Sequence, residues 1–340
     1  MKRLENEATV LNPDPLVVVD NLKKYYASRQ GNRKDSVVKA VDGVSFSIGA
    51  GKTLGLVGES GCGKSTTGQA VLNLDRATSG QVFFQGKDIT QFKGKALRYL
   101  RKEIQIIFQD PYSSLNSRMR VRDILEEPFK IHRLYRGREL TAEVEKLIDM
   151  VGLPKNALDK YPHQFSGGQR QRIVIARAIA LRPKFIVCDE PVSALDVSVQ
   201  SQIVNLFRRL QTELNLTYLF ISHDLSIVRH ISDQVGVMYL GKIVELGDKQ
   251  AIFSKPLHPY TKALMSAVPL PHPETQRNRE KIKLKGDLPS PLNPPTGCRF
   301  HTRCPLAQER CKREEPAWRE VDAKHWVACH FAEGVEEGVQ

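Results

Sequence analysis

The sequence predicts an α/β fold built on a buried parallel sheet. Three apolar runs, at 53–57, 185–189 and 218–222, have the length of strands that are buried on both faces. Segments with apolar residues at helical spacing lie among these strands, for example at 141–151 and 199–214. An alternation of buried strands and helices is typical of α/β proteins.

A glycine-rich loop joins the first of these strands to a helix. The loop, Gly58 to Ser65, has the pattern G-x-x-x-x-G-K-S, and a helix is predicted to begin within 66–72. Its glycines let several backbone N–H groups point at one anion, and the helix N-terminus adds partial positive charge. In such a phosphate-binding loop, or P-loop, the lysine (here Lys64) reaches the β- and γ-phosphates and the serine hydroxyl binds Mg²⁺. The nucleotide-binding residues predicted here are Gly58, Glu59, Ser60, Gly61, Cys62, Gly63, Lys64, Ser65 and Thr66.

Composition limits the class of protein. The chain has 340 residues, of which 41% are hydrophobic and 26% charged, as expected for a globular chain of about two domains. The net charge of +13 is compatible with nucleic acid, an anionic membrane surface or a nucleotide as partner. The N-terminus lacks the apolar core of a signal peptide, and no apolar run approaches about 20 residues. We therefore expect a cytoplasmic chain that reaches a membrane only through a partner.

The chain divides into four parts. Residues 1–13 are predicted to be a flexible N-terminus, and 14–268 the domain that carries the P-loop, with an antiparallel β subdomain. Within that domain, a helical subdomain is predicted at about 110–180. A proline-rich linker follows at 269–297, since prolines fix the backbone and remove hydrogen-bond donors. Residues 298–340 hold four of the six cysteines and form a small C-terminal extension.

Two further motifs indicate nucleotide chemistry. The apolar strand at 185–189 ends in Asp189, which would hold Mg²⁺, and Glu190 would polarise the attacking water. Elsewhere, Ser166-Gly167-Gly168-Gln169 precedes an apolar helix. Serine is a favoured N-cap, and the two glycines let an anion approach the helix end. The chain therefore carries a second candidate phosphate-binding helix start.

Taken together and in order, these motifs make the chain resemble an ABC-type ATPase. The resemblance covers about 14–250, and it predicts an ABC ATPase core of P-loop NTPase fold with an antiparallel β subdomain and a helical subdomain. The motifs that carry it are the P-loop, Gln109 after a strand, Ser166 to Gln169, Asp189-Glu190, Ser193-Ala194-Leu195-Asp196 and His223 after Ile221-Ser222.

The resemblance implies a role for each matched position. Tyr26 would stack on adenine, with Tyr25 as the alternative. Gln109 would contact Mg²⁺ and the attacking water, and would couple the site to a membrane partner. His223 would contact the γ-phosphate as a switch. The catalytic residues so implied are Glu190, His223, Gln109 and Lys64, and the Mg²⁺ ligands are Ser65, Gln109 and Asp189.

The same resemblance implies a head-to-tail dimer of two such subunits, with ATP held between them. The residues implied to contact the ATP of the opposite subunit are Ser166, Gly167, Gly168, Gln169 and Asp196. A single subunit would accordingly hydrolyse ATP poorly.

A finer resemblance is to the ATPase subunits of dipeptide and oligopeptide importers. Similar segments lie at 109–116, 190–198, 258–261 and 288–295. This resemblance implies a second, related ATPase subunit in a heterodimer, two transmembrane permease subunits and an extracytoplasmic peptide-binding protein. It places the chain peripherally on the cytoplasmic face of the plasma membrane, without nucleic acid. The alternative is a soluble ABC ATPase that acts on nucleic acid or ribosomes, which the net charge permits. Such proteins often carry two cassettes or long coiled coils, whereas this chain has one P-loop.

The clustered cysteines predict a metal site. Cys298, Cys304, Cys311 and Cys329 have the spacing C-x5-C-x6-C-x17-C. Disulfides are disfavoured in a cytoplasmic protein, and four thiolates suit Zn²⁺ or an iron–sulfur cluster. Zinc sites usually use closer pairs, so the wider gaps favour a cluster. The tail is also similar to the four-cysteine tail of peptide-importer subunits, which implies a [4Fe-4S] cluster, with Zn²⁺ as the alternative. The other two, Cys62 and Cys188, are expected to pack as small apolar residues.

Overall fold

The computed structural model describes residues 15–27, 37–267, 282, 284 and 286–332. The N-terminus predicted at 1–13 and most of the predicted linker lie outside the described residues. The described chain forms two compact units. The first comprises the described parts of Met1–Gly49, Thr53–Thr90 and Ser222–Gln340, and the second comprises Ala50–Lys52 and Gln91–Ile221. Among the described helices, none is long and apolar enough to cross a membrane.

An antiparallel sheet of four strands belongs to the first unit, as predicted. Its order is β2-β1-β4-β5, with β1 at Pro15–Ala27, β2 at Val37–Gly49, β4 at Ser79–Phe84 and β5 at Lys87–Asp88. The long β1 and β2 pair with several register shifts, and β1 also pairs with β4. Apolar residues at alternating positions turn one face of this sheet toward a core.

The P-loop strand lies in a second sheet of the first unit. Strand β3 (Thr53–Val57) pairs in parallel with β9 (Gln234–Tyr239), which pairs antiparallel with β10 (Lys242–Asp248). Strand β12 (His325–Val327) then pairs with β10, and β11 (Arg319–Asp322) pairs with β12. The C-terminal segment thus adds two strands to the sheet that carries the P-loop, and it is not a separate body within this unit.

Short helices complete the first unit. They are α1 (Lys64–Val71), α8 (Leu225–Ile231), α9 (Lys249–Ser254), α10 (Pro259–Ser266) and α11 (Glu309–Arg313).

The second unit has a parallel sheet in the order β8-β7-β6, at Thr217–Ile221, Phe185–Asp189 and Ile104–Ile107. Strands β7 and β8 are buried at every position, which explains their continuous apolar sequence. The predicted helical subdomain is present. The helices of this unit are α2 (Gly94–Glu103), α3 (Pro111–Ser114), α4 (Val121–His132), α5 (Gly137–Met150), α6 (Gly167–Ile179) and α7 (Val197–Leu214), with 3₁₀ turns at Lys155–Asp159 and Pro162–Gln164.

A buried carboxylate ties the C-terminal hairpin to the first unit. Glu245 on β10 is fully buried and accepts hydrogen bonds from the backbone N–H groups of Leu257 (2.8 Å) and His258 (2.9 Å). His325 Nε2 on β12 lies 2.7 Å from the same carboxylate. A buried charge is costly unless it is hydrogen-bonded, so these contacts hold β10, β12 and the start of α10 together.

We expect the free energy of unfolding to fall as the pH is lowered from about 6.5 to about 4, because His258 is buried in its neutral form. His258 Nδ1 accepts the N–H of Tyr260 at 3.1 Å as the N-cap of α10, and a protonated Nδ1 could not accept it. Burial lowers the pKa of His258 to about 4, and the charge of Glu245 only partly opposes this. The unfolded chain therefore binds the proton first, and about 2 kcal/mol should be lost between pH 7 and pH 5.

The variant His258→Asn tests this dependence, because asparagine is a good N-cap that does not titrate. Urea unfolding of both proteins at pH 7 and pH 5 should show a shallower loss for the variant. An equal loss in both proteins would assign the pH dependence to other groups.

Candidate nucleotide-binding site

The P-loop has a backbone that requires glycine at two positions. Gly58 has φ +153° and Gly63 has φ +106°. A Cβ at Gly58 would lie 2.2 Å from the carbonyl oxygen of Met238, and one at Gly63 would lie 2.1 Å from that of Ala40. Neither space admits a side chain, so the close backbone approach explains these glycines.

The loop and the start of α1 offer positive charge to an anion. Helix α1 begins after Gly63, and no side chain caps its N-terminus. Lys64 is 5% exposed, and its Nζ donates to the carbonyl oxygens of Gly58 at 2.8 Å and Glu59 at 3.0 Å. Since carbonyl oxygens do not neutralise the ammonium charge, the lysine is held inside the loop in a form that suits phosphate. The residues present therefore fit a nucleotide phosphate.

The two cysteines outside the C-terminal cluster are buried, as expected. Cys62 lies inside the P-loop with its Sγ 3.8 Å from Lys64 Nζ, and burial raises the pKa of its thiol. Cys188 lies in β7, where burial raises the thiol pKa well above its usual value. Both thiols stay protonated and pack as small apolar groups.

The two tyrosines considered for adenine occupy different environments. The Tyr25 hydroxyl donates to Asp42, and burial with this contact raises the Tyr25 pKa to about 12. Tyr26 is 38% exposed, its hydroxyl donates to Asp75 at 2.5 Å, and Lys24 Nζ lies 4.8 Å from its ring centre. The more exposed ring of Tyr26 is the better stacking surface, and the assignment stays a prediction.

The acidic pair and Gln109 come together in the second unit. Asp189 ends β7 and is 6% exposed. Glu190 follows with φ +46°, an uncommon conformation for a residue other than glycine. Its N–H donates to the Ile221 carbonyl at 3.0 Å, and its carboxylate accepts from Gln109 Nε2 at 3.0 Å. Such strained backbone persists where surrounding contacts fix it, and it is common at functional sites.

The segment Ser166 to Gln169 forms the predicted helix cap. The Ser166 hydroxyl accepts the Gln169 N–H, and the Gln169 side-chain oxygen accepts the Ser166 N–H at 3.1 Å. A Cβ at Gly168 would lie 2.4 Å from Val199 on α7, and one at Gly167 would lie 3.2 Å from Leu195. The cap of α6 therefore packs against the segment that contains Asp196, the N-cap residue of α7. These five predicted residues lie together in the second unit.

His223 is exposed in the first unit, one residue before the N-cap of α8. The preceding Ser222 donates its N–H to the Leu56 carbonyl on β3 at 3.2 Å. The structure thus places the residue before His223 beside the strand that leads into the P-loop.

Sequence reasoning missed two residues that contact the P-loop. The Tyr260 hydroxyl accepts the Glu59 N–H at 2.9 Å, and Arg303 donates to the Glu59 carboxylate at 2.7 Å. They are 201 and 244 residues away from Glu59 in the chain. No local pattern signals such contacts.

The four clustered cysteines gather in the first unit. The Cys298 N–H donates to the Cys311 carbonyl at 2.8 Å. Burial, together with the nearby thiols, raises the pKa of Cys298 and of Cys304 to about 11, and burial and Cys311 raise that of Cys329. Within the described residues, no group of three or more His, Cys, Asp or Glu side chains is arranged to hold a single metal ion. The four thiols therefore lie near one another, but they do not converge on one point as the ligands of a single metal ion would.

Two known protein families match parts of this chain. The family described as "ABC transporter" matches residues 41–193, and "Oligopeptide/dipeptide transporter, C-terminal region" matches residues 244–311. The second match includes three of the clustered cysteines.

Relatives with similar sequences span almost the whole chain. The oligopeptide transport ATP-binding protein AppF of Bacillus subtilis is 55% identical, over 95% of this chain and 99% of its own length. The oligopeptide transport ATP-binding protein OppF of Escherichia coli is 49% identical, over 92% and 95%.

Solved structures are similar as well. CbiO1 from Clostridium perfringens, part of the ABC transporter complex cbiONQ, has a TM-score of 0.62 at 29% identity, over 71% of this chain and 92% of its own. A dimeric post-hydrolysis state of the ATP-binding cassette MJ0796, bound to ADP and Pi, has a TM-score of 0.60 at 27% identity, over 68% and 98%.

Proposed function

The chain belongs to the ABC transporter family, as an ATP-binding protein of the oligopeptide/dipeptide transport type, and from this premise we propose that it binds and hydrolyses ATP to power the import of peptides across a membrane. The observation that carries the hydrolytic part is the position of Glu190, which directly follows the buried strand β7 and accepts a hydrogen bond from Gln109 Nε2 at 3.0 Å. The peptide part is supported by the names of relatives that match along almost the whole chain.

The P-loop binds the triphosphate in this proposal. The backbone N–H groups of the loop and of the first turn of α1 receive phosphate oxygens, and Lys64 moves from its two carbonyl partners to the β- and γ-phosphates. Mg²⁺, held by Ser65, Gln109 and Asp189, would neutralise charge on the transferred phosphoryl group. Tyr26 stacks on adenine.

Glu190 acts as the general base. Its carboxylate takes a proton from the attacking water, and Gln109, which already donates to that carboxylate, orients the water with it. His223 contacts the γ-phosphate. Positioning and electrostatic stabilisation supply most of the rate, because the phosphoryl transfer itself needs little covalent help.

A second subunit completes the active assembly. Ser166, Gly167, Gly168, Gln169 and Asp196, which pack together, contact the ATP that the opposite subunit holds. The dimeric cassette among the similar structures supports this arrangement. We place the second ATPase as a related but different chain, alongside two permease subunits and, indirectly, an extracytoplasmic peptide-binding protein. The complex holds this chain on the cytoplasmic face of the membrane.

Affinity purification tests the assembly. The full chain, tagged and purified from detergent-solubilised membranes, should bring with it a related ATPase and two multispanning membrane proteins. Recovery of ribosomes or DNA without membrane subunits would favour the alternative of a soluble ABC ATPase and contradict the importer.

The four clustered cysteines are proposed to hold a [4Fe-4S] cluster. Four cysteines lie near one another in the C-terminal segment of the first unit, which supports this proposal. The resemblance to the tails of peptide-importer subunits supports it as well. Bound by Cys298, Cys304, Cys311 and Cys329, such a cluster would cross-link the C-terminal segment.

Anaerobic purification followed by assays of iron, labile sulfide and zinc should give about four irons and matching sulfide per chain. Cys304→Ser should lose the iron and the sulfide. Cys188→Ser, which changes a buried thiol in β7, should retain both. One zinc per chain without sulfide would contradict the cluster and establish a zinc site instead.

A further inference from the structure

Glu59, the second residue of the P-loop, is fixed at three points by groups from three parts of the first unit. Its N–H donates to the Tyr260 hydroxyl at 2.9 Å, and its carbonyl accepts from Lys64 Nζ at 3.0 Å. Its carboxylate accepts from Arg303 at 2.7 Å. One residue of the loop is therefore held through its backbone by α10 and the loop lysine, and through its side chain by the C-terminal segment.

The partners of Glu59 are themselves held by packing and hydrogen bonds. The Arg303 side chain is only 9% exposed, and its N–H donates to the Phe300 carbonyl at 3.0 Å. Phe300 is 1% exposed and packs against Tyr239 and Tyr260, with ring centres 5.2 Å and 5.4 Å apart. Because this aromatic cluster fixes both Tyr260 and the turn that carries Arg303, the two contacts to Glu59 are positioned together.

The ion pair between Arg303 and Glu59 affects the electrostatic potential of the P-loop. The Glu59 carboxylate is a negative charge within a loop whose proposed ligand is an anion. If it were unpaired, it would oppose phosphate binding, since like charges at close range repel. Arg303 neutralises it with a charge-assisted hydrogen bond in a largely buried setting, where screening by salt is weak.

We propose that Arg303 and Tyr260 are positioning residues of the nucleotide site, through which the cysteine-containing C-terminal segment sets the affinity of the P-loop for phosphate. The proposal rests on the proposed function of the P-loop as the phosphate site. Arg303 cancels the charge of Glu59, and Tyr260 occupies the Glu59 N–H and orients the peptide that follows Gly58. Neither residue touches the phosphates.

Binding of MgADP to the full-length chain, measured by calorimetry, tests the charge argument. Arg303→Met should weaken binding about five- to tenfold, because it leaves a carboxylate unpaired beside the phosphates. Glu59→Gln should strengthen binding about two- to fivefold, because it leaves Arg303 as an added positive charge. The double variant should return to within about threefold of the wild type.

Arg299→Met is the matched control. Arg299 lies in the same segment with a side chain 10% exposed, but it pairs with Asp42, outside the P-loop. Its loss should shift thermal unfolding about as much as that of Arg303, but it should weaken MgADP binding less than about twofold, because Glu59 keeps its partner Arg303.

Equal weakening by Arg303→Met and by the double variant would overturn the proposal, because a purely structural role predicts no rescue. If Arg303→Met does not fold, Glu59→Gln alone decides, since weaker MgADP binding by that variant would also overturn it. Lys64→Ala separates this failure from failure of the proposed function: unchanged affinity in Lys64→Ala would show that the P-loop is not the phosphate site at all.

Discussion

Glu190→Gln is expected to reduce steady ATP turnover by about 10²- to 10⁴-fold in the assembled complex, the range that a general base contributes. Glutamine keeps the size of the side chain and can still interact with Gln109 Nε2, but it cannot take a proton from water. ATP binding should be preserved, because Glu190 follows β7 and is not part of the P-loop. The variant should therefore accumulate with ATP bound.

Two measurements establish this result. Phosphate release gives the turnover, and nucleotide retained after rapid gel filtration gives the trapped ATP. Glu213→Gln, which changes an exposed carboxylate on α7 in an ion pair with Arg209, is the control and should retain full turnover. Steady hydrolysis by Glu190→Gln would show that another group acts as the base.

Lys64→Ala is expected to weaken MgATP binding about 30- to 100-fold. The substitution removes one charge-assisted contact to phosphate, which contributes about 1.5–3 kcal/mol. Among the described residues, the ammonium group of the free protein donates to the carbonyl oxygens of Gly58 and Glu59 and approaches the Cys62 sulfur, so few contacts are lost there. The loss should therefore appear in affinity more than in stability.

Calorimetry with MgATP measures this affinity, and thermal unfolding confirms that the variant is folded. Lys87→Ala removes an exposed lysine of β5 and should bind as the wild type does. Equal affinities for Lys64→Ala and the wild type would remove the P-loop from the nucleotide site.

Local signals in the sequence were sufficient for most of the fold and for the separate parts of the site. Five consecutive buried residues in β3 and again in β7 appear as continuous apolar runs. Ser166 was predicted as an N-cap because serine is favoured at a helix start, and the structure adds the reciprocal hydrogen bond from the Ser166 N–H to the Gln169 side chain. The bent backbone of the P-loop was predicted as well, because the glycines that allow it lie in one short segment.

Contacts between distant segments were not predictable in this way. Arg303 reaches Glu59 across 244 residues, and β12 joins the sheet of β10 although the sequence between them includes a proline-rich stretch. Such pairings depend on how complete elements pack, which no periodicity records. The positive φ of Glu190 also has no sequence signal, because a glutamate favours ordinary backbone and is held in this one by its surroundings.

Uptake of a labelled oligopeptide by cells of the source organism tests the central claim most directly. Cells that lack this chain would be supplied with the wild type, with Glu190→Gln or with Glu213→Gln. The account predicts that the wild type and Glu213→Gln restore ATP-dependent uptake and that Glu190→Gln does not, although it is present in the membrane fraction. Peptide uptake that is unchanged by loss of the chain, or restored by Glu190→Gln, would contradict a role in powering peptide import.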